Sequence, residues 1–415
     1  MSQQQRQYEI VVFGATGYTG KYTAEHVARQ LPTDLKWAIA GRTESKLRAV
    51  ADELRVAYPD RVQPGIEISQ LNKNDLTELA KKTKVLISTV GPFHKYGEAA
   101  FAACAETGTH YLDCTGEVPW VYDMTAKYHA LAKKNGAIMI PQNGVESAPT
   151  DLICWALVTH IRETLHVGTT ELIDTIYDLN GTPSGGTLDT VLTLFDSYGL
   201  SHLAKSMSPY SLSVCHNNPS HPSRPFLEQL TGLRTVPDLG LLTDSIQGPS
   251  DIPIVNRTWS LYDNGNYYGR KFKVNAYMKA RNSLQGFLIH LALTFGMVAL
   301  LLPPVRWAVK KFVYQPGEGL GKEEASKEYC EWRAIANADV SDENDPKRAH
   351  ARMRWNGSMY DLTGVFLAEA AVTIARDNTF AHELGGGVLT PATLGSAYLE
   401  RLQKAGLIHE IRTLP

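Results

Sequence analysis

Tyr8-Glu9-Ile10-Val11-Val12-Phe13 runs directly into Gly14-Ala15-Thr16-Gly17-Tyr18-Thr19-Gly20, then Lys21 to Leu31, then Trp37-Ala38-Ile39-Ala40. The first run is β-prone, the second is a glycine turn, the third has helical character and the fourth is a second apolar strand. Strand, turn, helix and strand in that order open a doubly wound parallel sheet of the Rossmann type, an α/β architecture that binds dinucleotides. Gly14 lets the chain leave the strand tightly, Gly17 admits backbone N–H groups to a pyrophosphate, and Gly20 lets the helix pack close to the sheet. The spacing is Gly-x-x-Gly-x-x-Gly, so the position between strand and helix carries as much weight as the glycines. A P-loop is excluded, because Gly14 and Gly20 enclose five residues rather than four and Lys21 is followed by Tyr22.

The end of the second strand separates the two nicotinamide cofactors. An NAD site places Asp or Glu there to hold the ribose hydroxyls, whereas this chain continues Gly41-Arg42-Thr43. A guanidinium can fork onto a 2′-phosphate and stack on adenine, so Arg42 points to NADP. The rest of the expected cofactor site is Gly14, Thr16, Gly17, Tyr18, Thr19, Gly20, Thr89, Val90, Gly91 and Pro92.

Bulk properties narrow the remaining classes. At 415 residues the chain can hold two domains or one with a large insertion. A formal net charge of −2 argues against an electrostatically bound nucleic acid. Cys104, Cys114, Cys154, Cys215 and Cys330 are odd in number and lack Cys-x-x-Cys spacing, so reduced thiols in a cytoplasmic protein are expected, with no metal site. The polar start, Met1 to Gln7, has no signal-peptide core.

The alternation continues with a helix over Glu44 to Tyr58, a strand over Val62 to Ile68, a helix over Asn72 to Lys82 and a strand over Val85 to Val90. Helix Glu98 to Thr107, strand His110 to Leu112, helix Val118 to Lys134 and strand Ala137 to Ile140 complete six strands, so 1–146 reads as the nucleotide domain. Ligands on such sheets lie beyond the carboxyl ends of the strands. Two groups stand there with titratable side chains, Phe93-His94-Lys95-Tyr96-Gly97 and Asp113-Cys114-Thr115-Gly116-Glu117. Tyr96 and Asp113 are the candidate proton donors, since reduction of a polarised double bond needs a proton as well as a hydride. The alternatives are a turn brace for Asp113 and solvated side chains for His94 and Lys95.

The pattern changes after Gly144, and 147–360 reads as a substrate and dimerisation domain. Ser147-Ala148-Pro149-Thr150-Asp151 starts a helix, Thr169 to Leu179 is strand-like, and Gly181 to Thr187 opens another helix, either as a ligand site or as a plain loop. Met207 to Arg257 reads as long loops or a lid. Strand-like runs at Thr258 to Tyr262, Tyr268 to Tyr277, Glu331 to Val340 and Ala351 to Tyr360 make a mostly antiparallel second sheet. In 361–415, helices on both sides of Gly385 to Pro391 return to the first domain. Tyr267 and Lys271 have the Tyr-x-x-x-Lys spacing of short-chain dehydrogenases, but in a β-like run four residues span roughly 13 Å, so the match is chance. Gly286 to Leu302 is 17 residues without a formal charge, followed by Pro303-Pro304, Arg306, Lys310 and Lys311. A helix of that length reaches about 25 Å, short of a bilayer core of roughly 30 Å, which leaves a buried helix, a membrane or lipid-droplet surface element and a span in competition.

The chain resembles the saccharopine dehydrogenase-like oxidoreductases, the family that also holds the mycobacterial trans-acting enoyl reductases. The resemblance rests on Val12 to Gly20, Ala40-Gly41-Arg42, Gly91-Pro92-Phe93 with Tyr96-Gly97-Glu98, Asp113 with Thr115-Gly116-Glu117, and Ser147 with Pro149 and Asp151. Ser184-Gly185-Gly186-Thr187, the apolar segment and Gly386 to Pro391 extend it over essentially the whole chain. At Gly144-Val145-Glu146-Ser147 the family usually shows Gly-Phe-Asp-Ser. The resemblance implies a nucleotide domain interrupted by a substrate and dimerisation domain, a homodimer, and contact with membranes or lipid droplets. The resulting expectation is an NADPH-dependent reductase of a C=C or C=N bond in a hydrophobic small molecule such as a polyketide or lipid intermediate. Two other expectations stand beside it: a lipid-associated binding protein without turnover, and a saccharopine-type amine dehydrogenase.

Overall fold

Strands β1 (Tyr8–Phe13), β2 (Trp37–Gly41), β3 (Gly65–Ile68), β4 (Thr83–Ser88), β5 (His110–Asp113) and β6 (Ile138–Ile140) lie parallel in the order β6-β5-β4-β1-β2-β3. The computed structural model describes residues 6–182, 185–215, 224–310, 320–340 and 347–415. Between the strands run α1 (Tyr18–Gln30), α2 (Glu44–Ala57), α3 (Lys73–Lys82), the single turn α4 (Phe93–Tyr96), α5 (Glu98–Thr107) and α6 (Val118–Asn135). Val11, Val12, Ala38, Ile39, Leu86 and Ile87 are buried, as expected of central strands covered by helices on both faces. Two boundaries in the nucleotide domain differ from the sequence reading by three residues. Helix α1 begins at Tyr18 rather than Lys21, because Gly17 takes the extended N-cap position, and β3 begins at Gly65 rather than Val62, after Pro64, which has no N–H to donate.

The chain leaves this sheet through α7 (Ala148–Leu165), buried from Ala148 to Val158, into a second sheet. Its strands are β7 (Thr169–Asn180), β8 (Arg234–Val236), β9 (Gly240–Asp244), β10 (Lys273–Lys279), β11 (Tyr329–Ala338) and β12 (Arg348–Asn356). The C-terminal region adds one strand to each sheet. β13 (Gly387–Val388) pairs parallel with β6, and β14 (Ile408–Leu414) pairs antiparallel with β12. The second sheet is ordered β14-β12-β11-β7-β10-β9-β8 and is antiparallel except between β7 and β10.

Several expectations are corrected here. Thr258 to Leu261 closes a helix, Gly248–Leu261, not a strand; Pro249 and Asp251 in its first turn favour a helix start, and its buried inner side outweighs the β-branched residues. Met207 to Arg257 is not a run of loops. It holds helix Phe226–Thr231, then β8, β9 and most of Gly248–Leu261, with 216–223 outside the described residues. Tyr267 and Lys271 lie in turns before β10, bonded separately to Thr159 and Asp339, so their spacing joins nothing. Ser184 and Lys311 fall outside the described residues, and the helix after the small-residue run is Gly185–Ser197.

The apolar segment is a helix, Ser283–Ala299, followed after a break by Pro303–Lys310, the two bent by 114°. Its first half is anchored: Thr243 Oγ1 donates to the Gly286 carbonyl at 2.8 Å and His290 Nδ1 meets Asp244 Oδ2 at 2.6 Å. Beyond that, Phe295, Met297, Val298, Leu302 and Trp307 are exposed, so the segment is not a buried core helix. Among the described residues no single helix is long and apolar enough to cross a membrane.

Helix Met359–Arg376 lies against α1. A Cβ on Gly364 would come within 2.8 Å of the Tyr22 carbonyl carbon and 2.9 Å of the Thr23 nitrogen, and His26 Nε2 meets Glu369 Oε1 at 2.8 Å in the buried seam. Gly364→Ala must therefore push two backbones apart, and an overpacking loss of about 1–3 kcal/mol is expected in urea unfolding. Gly296→Ala, where no atom lies within 4 Å, should instead be neutral or gain up to roughly 1 kcal/mol.

Candidate functional site

The glycine turn is built on backbone-to-backbone contact. Gly14 has φ +91°, a conformation side chains resist, and a Cβ there would lie 2.7 Å from Thr89 Oγ1 and 2.8 Å from Val90 Cγ2. A Cβ on Gly20 would overlap the Gly14 carbonyl and sit 2.8 Å from Thr89 Oγ1. Thr89 is held in turn by its N–H and Oγ1 bonds to the Phe13 carbonyl, at 2.9 and 3.1 Å. The turn and the end of β4 thus form one surface, with Gly14, Thr16, Gly17, Tyr18, Thr19, Thr89 and Val90 partly open to solvent. No acidic residue stands in the first turn of α1, so its N–H groups present an uncontested site for an anion. Tyr18 differs from expectation in one respect. Its hydroxyl donates to the Leu320 carbonyl at 2.9 Å and its ring packs edge-on against Tyr360, so it walls the turn with its O–H proton already committed.

Arg42 is exposed just past β2, and its guanidinium has no hydrogen bond or ion pair among the described residues. Gly14 N donates to the Ala40 carbonyl at 2.9 Å, which ties the end of β2 to the glycine turn and keeps Arg42 beside it. An unclaimed guanidinium beside a phosphate cradle with no room for Cβ atoms fits a phosphorylated adenosine ribose and its pyrophosphate. Arg42, Gly14, Gly17 and Gly20 are the residues that would hold NADP, and Gly91 and Pro92 continue the same rim.

The two groups expected to carry the proton donor meet across the ends of β4 and β5. Glu117, at the start of α6, accepts from Phe93 N at 2.7 Å and His94 N at 2.8 Å, and meets His94 Nδ1 at 2.5 Å. His94 is therefore not solvated; its Nε2 faces Thr193 Oγ1 at 3.3 Å, and its side chain is 1% exposed. Asp113 is fully buried, its Oδ1 accepting from Thr115 N at 2.9 Å and Gln142 N at 3.1 Å, and burial pushes the carboxyl up to about 7. In that placement Oδ1 braces the loops after β5 and β6, the alternative role expected for Asp113. Tyr96 stands at the rim, 47% exposed, with its hydroxyl unbonded among the described residues.

The loop after β6 is pinned from the C-terminal region. Asn143 Nδ2 donates to the Phe366 carbonyl at 3.0 Å, Tyr398 donates to Asn143 Oδ1 at 3.1 Å, and Val145 N donates to Thr363 Oγ1 at 3.3 Å. Gln142 in this loop has φ 62°, a strained value for a residue with a side chain. Glu146 follows, and beyond it stand the buried Asp174 and Asp251, each raised first by burial; Asp251, beside Asp174 and Glu146, is well above the ordinary carboxylate range. Sequence reading quoted Glu117 and Glu146 without giving either a role. The signal available was the acidic residue at 146, where the family pattern differs.

Residues 10–140 match the saccharopine dehydrogenase NADP-binding domain. A Mycobacterium tuberculosis protein is 32% identical over 421 residues, covering 97% of each chain. The trans-acting enoyl reductase of Mycobacterium ulcerans is 31% identical over 429 residues, covering 98% of each. The chain belongs to the saccharopine dehydrogenase-like family. NADP is its cofactor, and it is an NADP-dependent oxidoreductase. The fold also matches apo saccharopine dehydrogenase (L-Glu forming) from Saccharomyces cerevisiae, with TM-score 0.57, 12% identity, and 98% of this chain and 100% of that one covered.

Arg42→Ala should weaken NADPH binding by about 1.5–3 kcal/mol, roughly 10- to 150-fold, and leave NADH affinity nearly unchanged. Fluorescence titration of both cofactors measures it; parallel losses for the two would remove the role given to Arg42.

Proposed function

We propose that the protein reduces a C=C bond conjugated to a carbonyl, an enoyl group, in a hydrophobic molecule such as a polyketide or lipid intermediate. The observation that carries this reading is the chemistry of the rim. Glu146 opens onto it, the buried Glu117, Asp174 and Asp251 stand behind, and no arginine pair faces it among the described residues. The buried Arg257 is committed elsewhere, to the Val388 and Leu212 carbonyls. Without an arginine pair the several carboxylates of a saccharopine-type substrate would be left without cationic partners, while an uncharged enoyl chain needs none. The names of the mycobacterial relatives, matched over almost their whole length, support the same bond.

When bound, NADPH supplies the hydride. The chain's own residues orient and exclude: Glu117 fixes the α4 turn by taking its two N–H groups, His94 is locked between Glu117 and Thr193, and Asp113 holds the β5 and β6 loops in register. NADPH consumption with a trans-2-decenoyl N-acetylcysteamine thioester is the direct assay. Turnover there, with none for saccharopine plus NADP, is the expected result. The reverse pattern would establish the amine dehydrogenase reading instead, and NADPH binding without turnover of either would favour a binding protein.

We also infer that the exposed part of Ser283–Ala299 and the following turn rest on a lipid surface. Support comes from Phe295, Met297, Val298 and Leu302, exposed apolar side chains beyond the anchored half of the helix, and from the exposed Trp307 in the helix that follows the bend. Vesicle flotation of the full chain should recover the wild type with the lipid, and Phe295→Glu with Val298→Glu should leave the protein in the aqueous fraction. Equal recovery of both would end this reading.

A further inference from the structure

Glu146 occupies a position unlike any other carboxyl at the rim. It is partly open to solvent, and its carboxyl lies directly over Gly116, where an added Cβ would collide with it. The residue after Gly116 is Glu117, whose oxygens hold the N–H groups just past Pro92, so Glu146 sits above the junction of the loops after β4, β5 and β6. Asp113 Oδ1 and both Glu117 oxygens accept from backbone N–H groups, whereas Glu146 has no hydrogen-bond or ion-pair partner among the described residues. Gly116 and Cys114 beside it are also partly open, which makes this the place where the closed floor of the site gives access to a ligand.

The groups facing Glu146 explain its protonation. Glu117 and Cys114 come from the loop after β5, Asp251 from helix Gly248–Leu261, and Asp174 from β7 stands behind Asp251. None is cationic. Burial first, and then the Glu117 charge, push Glu146 up to about 7. Near neutral pH it therefore carries a proton for much of the time, as a general acid must.

We propose that Glu146 is the catalytic acid of this site, delivering a proton to the substrate carbon next to the activating carbonyl. The proposal rests on the reductase reading. Hydride addition to the far carbon of the double bond leaves an electron pair shared between the near carbon and the carbonyl oxygen. The Glu146 O–H bond breaks, a C–H bond forms at the near carbon, the C=O double bond is restored, and water reprotonates the carboxylate. Tyr96 and Asp113 then have no part in the proton transfer. One is an exposed rim residue and the other a brace.

Two measurements test it on the full chain. Infrared titration of the protein without cofactor should show protonated-carboxyl absorbance that bleaches with a midpoint at about pH 7, and Glu146→Gln should lose one carboxyl's share of it, the remainder coming from buried acids such as Asp113 and Asp174. With NADPH and the trans-2-decenoyl thioester, wild-type kcat should fall above about pH 7, because the acid form is lost there. Glu146→Gln should lose roughly 10²–10³-fold in kcat together with that limb, with Glu146→Asp keeping the limb and NADPH affinity unchanged in both. Glu146→Gln turnover within about threefold of wild type, or with the same limb, overturns the proposal and leaves the reductase intact. An identical infrared titration in the variant also overturns it. A wild type that binds NADPH yet reduces no enoyl thioester removes the reductase reading and the proposal together.

Discussion

Two backbones touch at Gly14 and Gly20 with no side chain between them, and the rest of the molecule is arranged around that contact. The Gly14 carbonyl fills the space a Cβ on Gly20 would need, so α1 starts hard against the end of β1 and its first N–H groups open toward the ribose side of the sheet. On its other flank α1 accepts Gly364, again backbone against backbone. A helix gripped on both sides in this way cannot shift without breaking one seam. That rigidity gives the phosphate cradle a fixed relation to Arg42, since Gly14 N is bonded to the Ala40 carbonyl near the end of strand β2.

Three carboxyls near the strand ends show how neighbours, not residue type, assign a role. Asp113 meets two inward-pointing N–H groups and becomes a brace; Glu117 meets two N–H groups and an imidazole and becomes a clamp. Glu146 meets neither. Left with a glycine beneath it and other acids around it, it is the one whose proton is available to a ligand.

The C-terminal region couples the two sheets to the site. β13 extends the parallel sheet beside β6, β14 closes the far edge of the second sheet, and helix Met359–Arg376 holds the loop of Asn143 and Val145 through its Phe366 carbonyl and Thr363 hydroxyl. The strain at Gln142 persists because this loop is held from both sides, by Asp113 below and by that helix above. The apolar helix Ser283–Ala299 is the opposite case. Its anchored half bonds to β9 and the remainder finds no partner surface among the described residues.

Local chemistry makes much of this protein legible in its residues alone. Parallel strands buried on both faces read as apolar runs, a glycine turn between strand and helix reads as a phosphate site, and an arginine where a carboxylate belongs reads as NADP; each depends on neighbours in sequence. The helix at Thr258 to Leu261 was not legible, because its β-branched residues favour a strand until burial against α7 and the sheet decides otherwise. Strands β13 and β14 were too short or too polar to stand out, and exist only because an edge strand from elsewhere in the chain offers them partners. The sequence by itself determined the nucleotide half and its cofactor. Only the tertiary structure decided which acid braces, which clamps and which stays unpaired, because the N–H groups that settle the matter come from loops brought together by the ends of different strands.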